Sequence, residues 1–256
     1  MSRIVLITGS TSGIGYSIAV AFAKEGYDIM FHGLEPNGNE LAEDVARKYN
    51  VKTAFSNANL VKNEAIEELL NSTKEYFGKI DVLINNAGIQ YVSPIEDFPL
   101  EKWNQILAVN LTSVFLASKG VWKGMKENKF GRIINISSVH GLRASEYKSA
   151  YVAAKHGVLG LTKVLALEGA GHNITCNAIC PGYVKTPLVE GQIKDQAKAH
   201  DLSESEVVQK IMLRKQAVKE FISVDKIAEL ALFLANENAS AITGSSFTLD
   251  GAWTAQ

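Results

Sequence analysis

Tyr151 and Lys155 stand one helical turn apart in Ser149-Ala150-Tyr151-Val152-Ala153-Ala154-Lys155, with Ser138 upstream at the end of an apolar run. Residues four apart share a helix face. A bare Tyr-x-x-x-Lys pair is common, and by itself it describes packing beside a surface amine. A serine at the end of the preceding strand adds a chemical possibility. Removing a hydride from an alcohol carbon requires a base for the hydroxyl proton. A phenol titrates at about 10 and is too weak a base until a neighbouring cation lowers that value. Lys155 and the positive ring of an oxidised hydride acceptor are the expected cations, Tyr151 the base, and Ser138 the hydroxyl that orients the substrate oxygen.

A second constellation lies near the N-terminus. Thr8-Gly9-Ser10-Thr11-Ser12-Gly13-Ile14-Gly15 follows an apolar strand and opens a helical pattern. Glycines there let the main chain approach a pyrophosphate, and the helix start offers free N–H groups with partial positive charge. The next strand ends in His32-Gly33-Leu34-Glu35, where an adenosine ribose would lie. No Arg or Lys occurs there or within Ser10–Ser12, so a 2′-phosphate would lack a cationic partner. NAD is expected over NADP, more from the missing bases than from Glu35 itself.

The surroundings of Tyr151 are polar. Gln90, His140, Lys148 and Gln192 all fall on segments expected to face the same site. One cation, two amides and an imidazole beside an alcohol site suit a small hydroxy or keto acid. Singly, each also reads as a surface or packing residue.

Alternating strands and helices must position these groups. Candidate strands are Ile4–Ile7, Asp28–His32, Thr53–Asn57, Val82–Asn85, Arg132–Ser137, Thr175–Ile179 and Ser246–Leu249. Several are nearly all apolar, as parallel strands covered on both faces are. Helical periodicity marks Tyr16–Lys24, Gly38–Tyr49, Ala65–Tyr76 and Ala150–Leu167 between them. The pattern predicts a doubly wound parallel sheet in a single domain over residues 1–256. Thr186 to about Ser223 is polar and helical without a strand, and is expected to form a small lid.

Composition narrows the function classes. The formal charge of −1 and the scattered Lys and Arg leave no basic field for nucleic acid or an anionic membrane. No apolar stretch reaches the roughly 20 residues of a membrane span, and no signal peptide is expected. Cys176 and Cys180 read as buried thiols of a reducing cytoplasm. The five His residues show no ligand spacing, so no metal is expected.

With Asn85-Asn86-Ala87-Gly88, Asn110, Pro181-Gly182 and Thr186 added, the sequence resembles the short-chain dehydrogenase/reductase family along its whole length. The resemblance implies a Rossmann-like seven-stranded sheet and a homotetramer. It implies cofactor contacts from Gly9, Thr11, Ser12, Gly13, Ile14, Gly15, Leu34, Asn59 and Leu60 on the adenosine and phosphate side. Asn86, Ala87, Gly88, Tyr151, Lys155, Pro181, Gly182, Val184 and Thr186 would continue them toward the nicotinamide. Asn110 would help to position a proton-relaying water beside Lys155. Asn59 departs from the family's usual Asp, although an amide still hydrogen-bonds a base edge.

Ser138–Leu142, Lys148–Tyr151, Leu188–Gln192 and the tail Asp250–Gln256 resemble the branch of that family acting on D-3-hydroxybutyrate. This implies oxidation of (R)-3-hydroxybutyrate to acetoacetate. Gln90, His140, Lys148 and Gln192 would meet the carboxylate, and Ser138 and Tyr151 the hydroxyl oxygen. Tyr183 stands where relatives often carry Trp, and Ala252 replaces a Gly. A 3-oxoacyl thioester reductase, a sugar dehydrogenase and an NAD-binding regulator are the competing readings.

Overall fold

The computed structural model describes residues 2–186, 189–190, 193, 197 and 201–255. Its strands are β1 (Ile4–Ile7), β2 (Asp28–His32), β3 (Thr53–Ser56), β4 (Val82–Asn85), β5 (Gly131–Ile136), β6 (Ile174–Pro181) and β7 (Ser246–Leu249). They form one seven-stranded sheet in the order β3-β2-β1-β4-β5-β6-β7. All six pairings are parallel. The expected fold class is the observed one.

Successive strand residues point to opposite faces, and both faces are covered. Val5 and Ile7 pack with Ile18 and Phe22 of α1 (Gly13–Lys24), Val45 of α2 (Gly38–Tyr49) and Ile227 from the helix Val224–Ala235. Leu6 on the opposite face joins Ile66 and Leu69 of α3 (Asn63–Phe77). Next along the chain, α4 (Leu100–Leu107) runs through a π-turn, Ala108–Thr112, into α5 (Ser113–Glu127). Val121 and Met125 of α5 share the Leu6 cluster with Leu165 of α6 (Ser149–Gly169), and Val224–Ala235 is α7.

Element ends differ from the sequence reading by a few residues, for identifiable reasons. The apolar periodicity of α1 starts at Tyr16, but the helix opens at Gly13 because glycines carry no pattern to read. The polar first turn of α3 hides its start at Asn63 in the same way. Pairing with β7 carries β6 to Pro181, beyond the apolar run that ended at Ile179.

One buried polar chain fixes α6 against the sheet. Asn85 Nδ2 donates to Asn135 Oδ1 at 2.8 Å, and Asn135 Nδ2 donates to Thr162 Oγ1 at 2.9 Å. Buried amides cost free energy unless satisfied, so this chain favours one register of β4, β5 and α6. The helix carrying Tyr151 and Lys155 is thereby seated on the strand that ends before Ser138.

The lid segment is helical where it is described. Ser203 caps the turn Glu204–Glu206 with a full capping box, followed by a π-turn, Val207–Met212, and a 3-10 turn, Leu213–Lys215. A single bridge between Val184 and Ile222 returns it to the sheet. Among the described residues no helix is long and apolar enough to cross a membrane. Cys176 and Cys180 are buried and unbridged, and burial pushes their thiols up to about 12 and about 11.

Candidate active site

The strand order reverses direction between β1 and β4, and a cleft of about 490 Å³ opens beyond their C-terminal ends. Gly9 and Gly13 take φ of +62° and +54°, a region where side chains are strained. A Cβ on Gly15 would lie 2.1 Å from the Gly9 carbonyl oxygen, so that position has no space for one. Ser12 precedes α1 without a side-chain capping bond, and the first turn carries no acidic residue. The helix start therefore keeps N–H groups and positive potential available to an anion.

Asn86 ties β4 to the glycine turn, donating from Nδ2 to Thr8 O at 3.0 Å and to Gly9 O at 2.8 Å. Leu34, Asn59, Leu60, Ala87 and Gly88 also line the cleft, and Gly15 does not. Glu35 accepts from Thr11 Oγ1, and that bond holds its carboxyl below the usual range. No Lys or Arg is among the described residues lining this cleft.

A smaller cavity of about 180 Å³ adjoins it and shares Ile14, Asn86, Gly88, Ile89 and Thr186 with it. Ser138, Tyr151, Lys155, Pro181, Gly182 and Val184 converge there from β5, α6 and β6. Lys155 Nζ donates to the Ile136 carbonyl at 2.8 Å and stands 5.6 Å from the centre of the Tyr151 ring. Asn110 does not line the cavity. Its amide is pinned at 2.9 Å to both Ile89 N and Ile89 O. Asn110 Oδ1 and Lys155 Nζ nevertheless converge on Gly88, 3.6 Å and 3.8 Å from where its Cβ would be.

The protein's own groups raise the phenol, chiefly by burial, with hydrogen bonding to Ser138 easing it. Burial also brings Lys155 itself down to about 8, which leaves it mostly charged at neutral pH.

The far end of the cavity holds hydrogen-bond donors. Lys148 Nζ lies 3.5 Å from His140 Nε2, and burial followed by Lys148, Lys215 and His156 brings His140 down to about 4. The imidazole is therefore neutral, with Nε2 facing a cation and its proton on Nδ1. That Nδ1 is buried without a hydrogen-bond partner, as is Gln90 Nε2. The residues Lys148, His140 and Gln90 thus line one cavity whose described lining has no acidic residue, with the two unpartnered nitrogens buried in its wall. Such a donor-rich site suits an anion. Gln192 lies outside the described residues.

Tyr183 and Trp253 complete the wall as a stacked pair, with ring centres 5.7 Å apart, and Trp253 meets the His140 ring edge-on at 5.6 Å. The sequence reading did not name Trp253 as a site residue, although the tail that carries it was among the segments resembling the hydroxybutyrate branch. Nothing local distinguishes a pocket tryptophan more than a hundred residues from His140 in the chain. His32 was also missed; its imidazole bonds the glycine turn.

A sequence profile of the short chain dehydrogenase family matches residues 3–197. A D-beta-hydroxybutyrate dehydrogenase of Rhizobium meliloti is 47% identical over 258 residues, covering 100% of both chains. One from Cupriavidus necator is 43% identical over 254 residues, covering 99% of this chain and 98% of its own. Among solved structures, an actinorhodin polyketide ketoreductase with NADPH superposes with a TM-score of 0.92 at 32% identity. That likeness covers 98% of this chain and 97% of the other.

Proposed function

The chain belongs to the short chain dehydrogenase family, and on that premise we propose that it oxidises (R)-3-hydroxybutyrate to acetoacetate with NAD. The observation carrying this reading is the donor-rich end of the cavity, where Lys148, His140 and Gln90 gather within reach of one small molecule. A thioester or sugar substrate has no carboxylate to meet them. The activity named for the two dehydrogenase relatives supports the same substrate.

The family uses a nicotinamide cofactor, and the larger cleft fits one. The Gly9–Gly15 turn and the start of α1 would hold the pyrophosphate, and Leu34 would lie at the adenosine ribose. Asn59 and Leu60 would face adenine; Asn86, Ala87, Gly88, Val184 and Thr186 would continue toward the nicotinamide. When bound, the oxidised cofactor supplies the hydride acceptor and one positive charge.

The chain's own residues handle the proton and the geometry. Lys148, His140, Gln90 and Gln192 grip the carboxylate, while Ser138 holds the hydroxyl oxygen. As hydride leaves the substrate carbon, Tyr151 takes the hydroxyl proton as its phenolate, the form that the Lys155 ammonium and the cofactor's positive charge would favour against burial, and the C–O bond becomes a carbonyl. Lys155 keeps positive charge beside the phenol, and Asn110 holds the Gly88 loop beside it. Residues 1–256 act as one catalytic unit in the cytoplasm, with about 186–223 as its lid.

The decisive assay compares initial rates for both 3-hydroxybutyrate enantiomers with NAD and NADP in parallel. The (R) enantiomer with NAD should give the highest kcat/KM. Leu34→Arg should narrow the preference for NAD, because it supplies a partner for a 2′-phosphate. Equal efficiency with both cofactors in the wild type would overturn the NAD assignment.

We also expect a homotetramer. Phe115 of α5, with Val164 and Leu167 of α6, leaves apolar side chains on the protein's outside, Leu167 at 81% exposure. Sedimentation equilibrium at micromolar concentration should give four times the 27.8 kDa chain mass. A monomer there would refute the assembly.

A further inference from the structure

His32 ends β2, and its imidazole ties together the loops that wall the nucleotide cleft. Gly9 N–H donates to His32 Nδ1 at 3.0 Å, and His32 Nε2 lies 2.8 Å from the Ala58 carbonyl oxygen. A backbone N–H only donates, so Nδ1 must be bare; a carbonyl only accepts, so Nε2 must carry the proton. The two contacts select one neutral tautomer. Two further bonds reinforce the junction, Ser10 N donating to His32 O at 2.7 Å and His32 N donating to the Ser10 side-chain Oγ at 2.9 Å. The residue is 3% exposed, so water offers no substitute for either contact.

A second proton would have to sit on Nδ1, where it would face the Gly9 N–H donor to donor. Burial already holds the imidazole below its ordinary value, opposed by the Ala58 contact and the Glu35 carboxylate. Glu35 is the other titratable side chain among the described residues lining the cleft. It is held as a carboxylate by Thr11 and favours the protonated ring, so it cannot be what keeps His32 neutral. The hydrogen-bond geometry and burial do that.

We propose that His32 is a positioning residue for the dinucleotide. Its neutral Nε2–H form sets the Gly9 turn and the Ala58–Asn59 loop in the shape that accepts the cofactor, and ring protonation removes that shape. The inference rests on reading the cleft as a dinucleotide site, and it adds a pH-dependent element to that reading.

The test is the dissociation constant for NAD, measured by calorimetry from about pH 8 to about pH 5 on wild type and His32→Asn. If only the neutral form is competent, the apparent constant rises ~tenfold per pH unit below the imidazole pKa. Because that pKa is lowered, the rise should begin below about 6.5. An asparagine oxygen can still accept from Gly9 N–H and does not titrate, so His32→Asn should stay within about twofold over this range. Nitrogen NMR of the wild-type ring should show the Nε2–H tautomer at neutral pH, titrating in step with the loss of NAD affinity. This second measurement decides the matter even where the variant does not fold. An Nδ1–H tautomer, or equal pH dependence in His32→Asn, overturns the proposal. Failure of the wild type to bind NAD at any pH would instead overturn the dinucleotide reading beneath it.

Discussion

Tyr151→Phe should lower turnover of 3-hydroxybutyrate by at least ~10²-fold, the lower end of what acid–base catalysis contributes. The substitution removes one oxygen and keeps the ring, so the edge-on contact with His140 at 6.1 Å and the seat of α6 persist. NAD affinity should therefore change little, and circular dichroism should match the wild type. The size of the effect follows from the enclosed site. The nearby Lys155 ammonium donates to the Ile136 carbonyl and has no lone pair to take the proton in place of Tyr151. Near-normal turnover in a folded Tyr151→Phe enzyme would remove Tyr151 as the base.

The nucleotide-binding half of the site was legible because its chemistry is local. Gly9, Gly13 and Gly15 fall within one turn, between an apolar strand and a helix, and the physical demands on each are met in the fold. Tyr151, Lys155 and Ser138 were legible for the same reason: a helix face and a strand end define their separation. The doubly wound parallel sheet followed from alternation, while the order of its strands came from the structure.

What sequence did not reveal depends on three-dimensional closure. Trp253 reaches the cavity only because β7 pairs with β6 and carries the tail back over Tyr183. The His32 tautomer is fixed by backbone atoms of Gly9 and Ala58, which have no side-chain signature. The upward effect of burial on Tyr151 arises from desolvation, a property of the assembled core. A motif gives the identity of a charged neighbour but not the amount of water removed around it.

Lys148→Ala should reduce kcat/KM for (R)-3-hydroxybutyrate by roughly tenfold to a hundredfold, because charge-assisted hydrogen bonds contribute ~1.5–3 kcal/mol. In a four-carbon acid, the carboxyl and the hydroxyl-bearing carbons are separated by a single methylene. One short molecule can therefore span the Lys148 end of the cavity and the Tyr151 end. Burial and Lys215 already disfavour the Lys148 ammonium, so a bound carboxylate would relieve a charge that the protein alone leaves poorly compensated. His140 responds to the same charge: its Nε2 faces Lys148, and removing the amine frees it to take either tautomer. The loss should therefore include misorientation of the Nδ1–H donor as well as one missing ion pair. A neutral alcohol such as 2-butanol has no carboxylate to lose, and its kcat/KM should fall by less than about threefold. Measuring both substrates with wild type and variant separates the two accounts. A specific anchor penalises the acid far more than the alcohol. An equal penalty on both would mean that Lys148 supports the pocket wall beside Tyr183, and the hydroxy-acid reading would lose its main physical support.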